Sequence, residues 1–452
     1  MELNKFFEKT KLPFLVAFEV MLLLRTINIY SLLPSKLDSL VFGLLSVWAA
    51  LYIANKLFFS IKNKQFNYFD PLLIIFLAMI FLSIVVHYET YLVANMKLWL
   101  WQAIYLLVIY QIGKERNRKT FAILETILLV SWFILVVIAI AMFLAQYTYS
   151  APLDKIYNGL RVGFYENRLY GLFSDPNFAA TISVVSIILS VHLVLKKVAK
   201  KWTILLVINV ILQWIYVVLS GSRTAYVELF VVAFVGIFFI AYKKWSPKGF
   251  FIGVLYAAFS SVIFVVGIYL FTILIEKGML YALDLLRSMK SHNVPDVTLD
   301  RPDVENKSDI SNNRFGLWKS SFEIFKSSMW FGTSPRNLVT YAQNVLPNTL
   351  IAIKQQTSHN FFFYLLATTG LAGTIPLTMF LINKIFNTVK ALFTPKVNIF
   401  DNYLLRDTLI ALTILVSAFF LTELILVNKI GTFLFWFYLG SVSSAINKKS
   451  EI

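Results

Sequence analysis

The chain has 452 residues, 58% hydrophobic and 14% charged, with a mean hydropathy of +0.72 and a formal net charge of +17. Soluble domains are about 45–50% apolar and about 25% charged, so a water-soluble particle is excluded, and the wealth of aromatic and aliphatic residues excludes a disordered chain. An all-α, polytopic helical membrane protein remains.

A helix crosses a bilayer with about 20 apolar residues, and about twelve segments meet that length. They lie at 13–33, 37–59, 71–88, 92–112, 120–145, 177–195, 202–220, 224–242, 249–275, 359–383, 404–427 and 430–446. Lys5, Lys9 and Lys11 precede the first, but no small-x-small cleavage site follows it, so it is expected to be an uncleaved span. Five regions result: N-terminal spans (1–145), a loop (146–176), spans six to nine (177–275), a large, partly helical loop (276–358) and C-terminal spans (359–452).

Lys and Arg gather in alternate loops, as in Lys114, Arg116, Arg118 and Lys119, then Lys196, Lys197, Lys200 and Lys201, then Lys384, Lys390, Lys396 and Arg406. The positive-inside rule places these loops and both termini in the cytoplasm, and the two long loops outside. The same rule accounts for most of the positive charge without any nucleic-acid partner. Because there is no cysteine, disulfides, thiol nucleophiles and cysteine-ligated metals are absent together.

Loops beyond about 12–15 residues are uncommon unless they are functional or disordered. In the large loop, Met279–Met289 has helical apolar spacing, and His292–Asn312 is polar and expected to be mobile. Arg314–Met329 is expected to be a helix with Asn312 or Asn313 as N-cap, ended by a turn at Trp330-Phe-Gly-Thr-Ser-Pro.

Three outward stretches carry polar groups that a bilayer alone does not demand. Ser220-Gly-Ser-Arg-Thr-Ala joins two spans and sets Arg223 at the outer edge of the eighth. A guanidinium there matches phosphate oxygens, and equally suits an arginine snorkelling to lipid headgroups. In the second stretch Arg314, Trp318 and Ser321 share one helix face, which fits a cradle for a lipid phosphate or sugar, or an ordinary amphipathic surface helix. The third, Ser358-His359-Asn360, opens the tenth span. A helix N-terminus favours the neutral imidazole, which can take a proton from a hydroxyl nucleophile; a plain polar cap is the alternative.

Weaker signals remain. Phe173-Ser-Asp-Pro-Asn177 reads as a turn plus cap, and Arg161, Arg168 and Arg336 as positive field or solvated charge. Glu19, Glu125, Glu228 and Glu423 lie in apolar spans and are expected to serve structural hydrogen bonds, because Arg25 is the one basic candidate to pair with them. Gly370-Leu-Ala-Gly373 permits close helix contact. No P-loop, HExxH or Asp-x-Asp pair occurs, which argues against ATP-driven chemistry and suggests no metal site.

Together these motifs resemble the O-antigen ligase and O-antigen polymerase superfamily of bacterial envelope glycosyltransferases. The resemblance rests on Ser-Gly-Ser-Arg-Thr-Ala at 220–225, Arg314 with Trp318, Phe331-Gly332, and Ser-His-Asn followed by Leu365, Gly370 and Gly373, and it covers about residues 165–385. It implies a polyprenyl (undecaprenyl) diphosphate-linked oligosaccharide donor, a glycan acceptor, and no metal or nucleotide cofactor. It also implies a multi-pass protein of the bacterial plasma (inner) membrane, with chain-length regulator proteins as possible partners. Carried over, Arg223 and Arg314 bind the diphosphate, His359 acts on the acceptor hydroxyl, and Trp318, Asn360 and Arg336 contribute to the substrate site.

The activity expected is polymerisation of surface polysaccharide repeat units by an inverting glycosyltransferase. Richness in Lys, Asn, Ile and Phe fits a single-membrane bacterium and tilts towards the polymerase. Alternatives are a ligase that moves the finished glycan to lipid A core, protein or another anchor, and a flippase of lipid-linked oligosaccharide. A multi-span peptidoglycan-type polymerase would instead draw its base from a carboxylate such as Asp300, Asp303 or Glu305.

Overall fold

The computed structural model describes residues 2–64, 68–152, 159–289, 299, 313–394, 403–420 and 427–450. Asp300, Asp303, Glu305, Glu423, Asn312 and most of the polar stretch from His292 lie outside these residues.

The helices are α1 (Glu2–Leu24), α2 (Ser35–Lys62), α3 (Pro71–Val86), α4 (Leu92–Glu115), α5 (Arg118–Leu144), α6 (Pro176–Leu195), α7 (Lys200–Leu219), α8 (Arg223–Trp245) and α9 (Phe250–Met289). Then come α10 (Arg314–Ser327), α11 (Leu338–Val345), α12 (Leu350–Lys354), α13 (Phe361–Phe393), α14 (Tyr403–Phe420) and α15 (Ile430–Ser450). Among the described residues nine helices are long and apolar enough to span a membrane, and α3 and the apolar part of α15 are shorter apolar helices.

The first expected span is displaced. Helix α1 starts at Glu2 and stops at Leu24, where Thr26 donates to the Leu23 carbonyl at 2.6 Å and Arg25 turns out to Asp38 at 2.6 Å. A short 3-10 turn, Asn28–Leu32, replaces the rest of that span.

Helix α9 departs in the other direction. The Met279–Met289 spacing continues the ninth span without a break, giving a 40-residue helix. At 1.5 Å per residue it is about 60 Å long, about twice the hydrocarbon thickness.

Residues 146–176 hold a feature the sequence patterning missed. Thr148–Ala151, Leu160–Tyr165 and Arg168–Gly171 form an antiparallel sheet in the order β1-β2-β3. It is tied to the end of α1 by an Ile27–Phe173 bridge and by Asn28 Nδ2 donating to Arg161 O at 2.6 Å. The strands are short and mixed in polarity, and so show no alternation over enough residues to stand out.

Between helices, lipid removes the hydrophobic drive, and packing relies on close approach and polar bonds. Glu228 accepts from Thr181 at 2.9 Å, and Thr181 meets Ser417 at 3.1 Å, joining α6, α8 and α14. Asn209 on α7 donates to Ser186 and Ser190 on α6.

One expectation about charge fails here. Arg406 is no loop cation: it is 4% exposed within α14. It pairs with Glu125 at 2.9 Å and Asp407 at 2.7 Å, while Arg25 pairs with Asp38 and not with Glu19. Arg406 falls within a turn of its helix's start, so hydropathy alone reads it as a flanking charge.

Candidate functional site

The site lies at the end of the bundle where α7 finishes and α8, α13 and the sheet begin. Helix α7 ends at Leu219; Gly221, at φ 61°, turns the chain, and Ser222 Oγ caps α8 by accepting from Ala225 N at 3.3 Å. This puts Arg223 at the first position of α8. Arg168 braces the turn, donating from Nε to Ser220 O at 2.8 Å and from its terminal nitrogen to Asn177 Oδ1 at 2.6 Å. Its guanidinium is therefore part of the scaffold, where the sequence suggested field or solvated charge. Asp175 caps α6 through Asn177 N at 2.9 Å, as the turn-plus-cap reading anticipated.

Helix α10 carries the second stretch. Asn313 occupies the N-cap position in left-handed backbone, φ 66°, without a side-chain capping bond; Asn312, the other expected cap, lies outside the described residues. The shared face of Arg314, Trp318 and Ser321 turns towards α13. Trp318 stacks on Phe363, with centroids 5.5 Å apart, and the Ser321 and Ser358 hydroxyls are hydrogen-bonded at 2.7 Å.

Arg223 and Arg314 meet in one cavity of about 260 Å³. Thr224, Val227, Phe315, Trp318 and Phe420 complete its lining. Two arginines from stretches some ninety residues apart thus line one space whose other walls, Thr224 aside, are apolar or aromatic. The indole Nε1 of Trp318 is buried and has no acceptor among the described residues.

His359 is not part of that lining; it stands beside it. Ser358, on one side, bonds Ser321 of α10. Asn360, on the other, caps α13 by accepting from Phe363 N at 3.1 Å, and donates to Phe419 O at 3.0 Å, next to the cavity residue Phe420. His359 itself is half-buried with φ 46°. Left-handed backbone is uncommon outside glycine and tends to persist where the surroundings enforce it, often at functional sites.

Arg336 is exposed and outside the cavity lining; its backbone N donates to Asn95 Oδ1 at 2.8 Å. Phe315, Phe420 and Val227 were not singled out in the sequence, since an apolar wall looks like any other membrane sequence.

Below the site α13 is broken. Gly370 has φ 59° and ψ −163°, and the turn after α10 crosses it. Thr333 N and Ser334 N donate to the carbonyls of Ala367 and Thr368, at 3.0 and 2.9 Å. Leu371 N and Ala372 N donate to those of Met329 and Trp330, at 2.9 and 3.0 Å. The groups freed by the break are satisfied by the crossing segment, as irregular backbone at membrane depth requires. A Cβ on Gly370 would sit 2.4 Å from Trp330 C, and one on Gly332 2.3 Å from Thr368 C. The close approach expected of Gly370 is real, but it admits a loop and not a helix. This crossing fixes the end of α10 against α13, and with it the Arg314 face against Ser358-His359-Asn360.

Residues 208–378 match the family model described as O-antigen ligase, a stretch that contains Arg223, Arg314, Trp318, Arg336, His359, Asn360 and the broken helix. No curated protein matches the chain. Over residues 208–378, the chain therefore carries a domain of the O-antigen ligase and O-antigen polymerase superfamily.

Proposed function

We propose that this protein polymerises surface polysaccharide: it transfers a glycan from a polyprenyl diphosphate carrier to an acceptor sugar hydroxyl at the outer face of the bacterial plasma membrane. The reading is carried by Arg223 and Arg314 lining one cavity with aromatic walls. Paired guanidiniums suit a diphosphate, and the apolar wall suits the sugar face and the first isoprene units.

In the reaction, His359 accepts the acceptor hydroxyl's proton. The oxygen then attacks the anomeric carbon from the side opposite the carrier and inverts it. The bond from that carbon to the phosphate oxygen breaks, and the electron pair leaves on the lipid diphosphate. Arg223 and Arg314 stabilise the charge that develops there, and Trp318 and Asn360 shape the glycan side. Arg336 adds positive field at the rim. The carrier diphosphate is itself the leaving group, so the chemistry needs no nucleotide or metal. Both termini lie in the cytoplasm on this reading.

Purified protein given a defined undecaprenyl-diphosphate oligosaccharide should lengthen the carrier-linked chain and release carrier diphosphate. With all substrate already on the reacting side, chain growth excludes a flippase. Absence of any transfer would refute the reading. A ligase is separated by deleting the gene: single repeat units at the cell surface mark a polymerase, and long chains stranded on carrier mark a ligase.

A further inference from the structure

At the other end of the bundle two cavities meet. Helix α5 runs from Arg118 towards the sheet and α6 returns to Leu195, so Arg118 and Leu195 lie far from Arg223 and Arg314. One cavity, about 230 Å³, is an apolar groove among α6, α7, α8, α9 and α14, lined by Ile188, Trp214, Val232 and Phe264 among others. The second, about 310 Å³, is polar and holds Arg116, Arg118, Lys196 and Tyr403. His192 and Arg406 line both, so the groove and the polar chamber are neighbours.

The chamber's charges do not balance. The lining holds four cations, Arg116, Arg118, Lys196 and Arg406, against three carboxylates, an excess of one positive charge, and the carboxylates sit away from the first three: Glu115 on Lys11 at 2.8 Å, Glu125 and Asp407 sharing Arg406 at 2.9 and 2.7 Å. Arg116, Arg118 and Lys196 form no ion pair among the described residues. Instead Lys196 Nζ lies 3.5 Å from the centre of the Tyr403 ring, and the guanidiniums of Arg118 and Arg406 each lie 4.8 Å from it. A ring face attracts cations without cancelling their charge, so Arg118 and Lys196 keep their mutual repulsion and their appetite for an anion. His192 Nε2, buried where the two spaces join, has no partner among the described residues.

We propose that this composite site binds a phosphate-bearing anionic membrane lipid, with the phosphate among Arg116, Arg118 and Lys196 and an acyl chain in the groove past Ile188 and Val232. A cationic chamber at the mouth of a lipid-facing apolar groove has the two-part chemistry of that ligand, and of neither a free anion nor a neutral lipid. It is independent of the glycan reaction.

The test is native mass spectrometry of the whole purified chain in neutral detergent, with phosphatidylglycerol, phosphatidylcholine of the same acyl chains and glycerol 3-phosphate as probes. Phosphatidylglycerol should be retained over phosphatidylcholine, with a loss of about fivefold for each charge removed in Arg116→Gln, Arg118→Gln and Lys196→Gln. Ala233→Trp should cut retention by filling the groove with every charge in place. Arg118→Lys should preserve it. If the combined Gln variant fails to fold, the exposed single variant Arg118→Gln carries the same test. Equal retention of the two lipids, or unchanged retention in the Gln variants, would overturn the proposal. Glycerol 3-phosphate binding as tightly as the lipid would assign the chamber to a soluble anion and overturn it too.

Discussion

The hydroxyls of Ser321 and Ser358 are hydrogen-bonded at 2.7 Å inside the protein, and through that contact the helix bearing Arg314 is held against the segment bearing His359. Both side chains are fully buried. Removing Ser321 leaves the buried Ser358 hydroxyl without this partner, at a cost of about 1–3 kcal/mol, whereas removing Ser358 leaves Ser321 its bond to the Leu317 carbonyl at 2.8 Å and costs less, about 0.5–1.5 kcal/mol. Ser321→Ala and Ser358→Ala should therefore each lower the thermal unfolding midpoint, and the double variant should lose less than the sum. An additive pair would mean that the contact does not couple the two elements.

Arg223 and Arg314 are expected to matter in the transition state more than in binding. Removing one charge-stabilising donor elsewhere costs about 10²–10³ in turnover. Arg223→Ala and Arg314→Ala should fall in that range with defined carrier-linked substrate. Lysine keeps the charge but loses the planar fork, so Arg→Lys should recover only part of the rate. Arg336, outside the lining, should lose less than tenfold on the same substitution to alanine, a bound set by the modest worth of exposed charges, about 1 kcal/mol.

Gly370 and Gly332 test the crossing of the turn and the broken helix. Alanine at either meets backbone atoms at 2.4 or 2.3 Å in a backbone conformation that disfavours side chains, so it must distort the crossing. The strain alone is about 1–3 kcal/mol. Gly278→Ala is the control: nothing lies within 4 Å of its Cβ, and a helical Gly→Ala exchange gains about 0.5–1 kcal/mol. Folded yield in detergent should drop for the first two and hold for the third.

How much of this was visible in the sequence depends on which physical signal each feature leaves. Long apolar runs announce the spans, and the spacing of Arg314, Trp318 and Ser321 announces the face that docks on α13. The Asp175 and Asn360 caps were legible because short polar side chains before apolar runs have few other uses. The sheet at 148–171 was not, because its strands are four to six residues long. Nor was the role of Arg168, which donates to the Ser220 carbonyl fifty-two residues on as well as to the nearer Asn177 amide. Arg406 looked like one more cytoplasmic cation because its partner Glu125 belongs to another helix. Tertiary partnership, unlike periodicity, leaves no local mark.

Arg406 also yields a stability prediction. With Glu125 it forms a buried pair, further held by Tyr438 OH on Glu125 at 3.1 Å and Ser441 Oγ on Asp407 at 2.6 Å. Breaking such a pair from one side strands the opposite charge and costs about 3–5 kcal/mol. Arg406→Leu should destabilise the fold by that order, and adding Glu125→Gln should restore part of the loss. Unfolding midpoints of the two variants in one detergent decide the matter.

The assignment of the base is the sharpest remaining test. General base catalysis by a positioned side chain is worth about 10²–10⁴ in rate. If His359 takes the hydroxyl proton, His359→Gln should lose turnover in that range while leaving donor binding near normal, because the two guanidiniums persist. In the wild type, turnover should fall on acidification, because the protonated ring cannot accept a second proton. The variant's residual rate should lose that inflection. A carboxylate base makes the opposite set of predictions: His359→Ala would keep full activity, Asp303→Ala would abolish it, and the acid limb would move towards the carboxylate range near 4. Measuring both variants across pH with one substrate separates the two, since no single assignment produces an inflection that vanishes with the imidazole together with a silent His359.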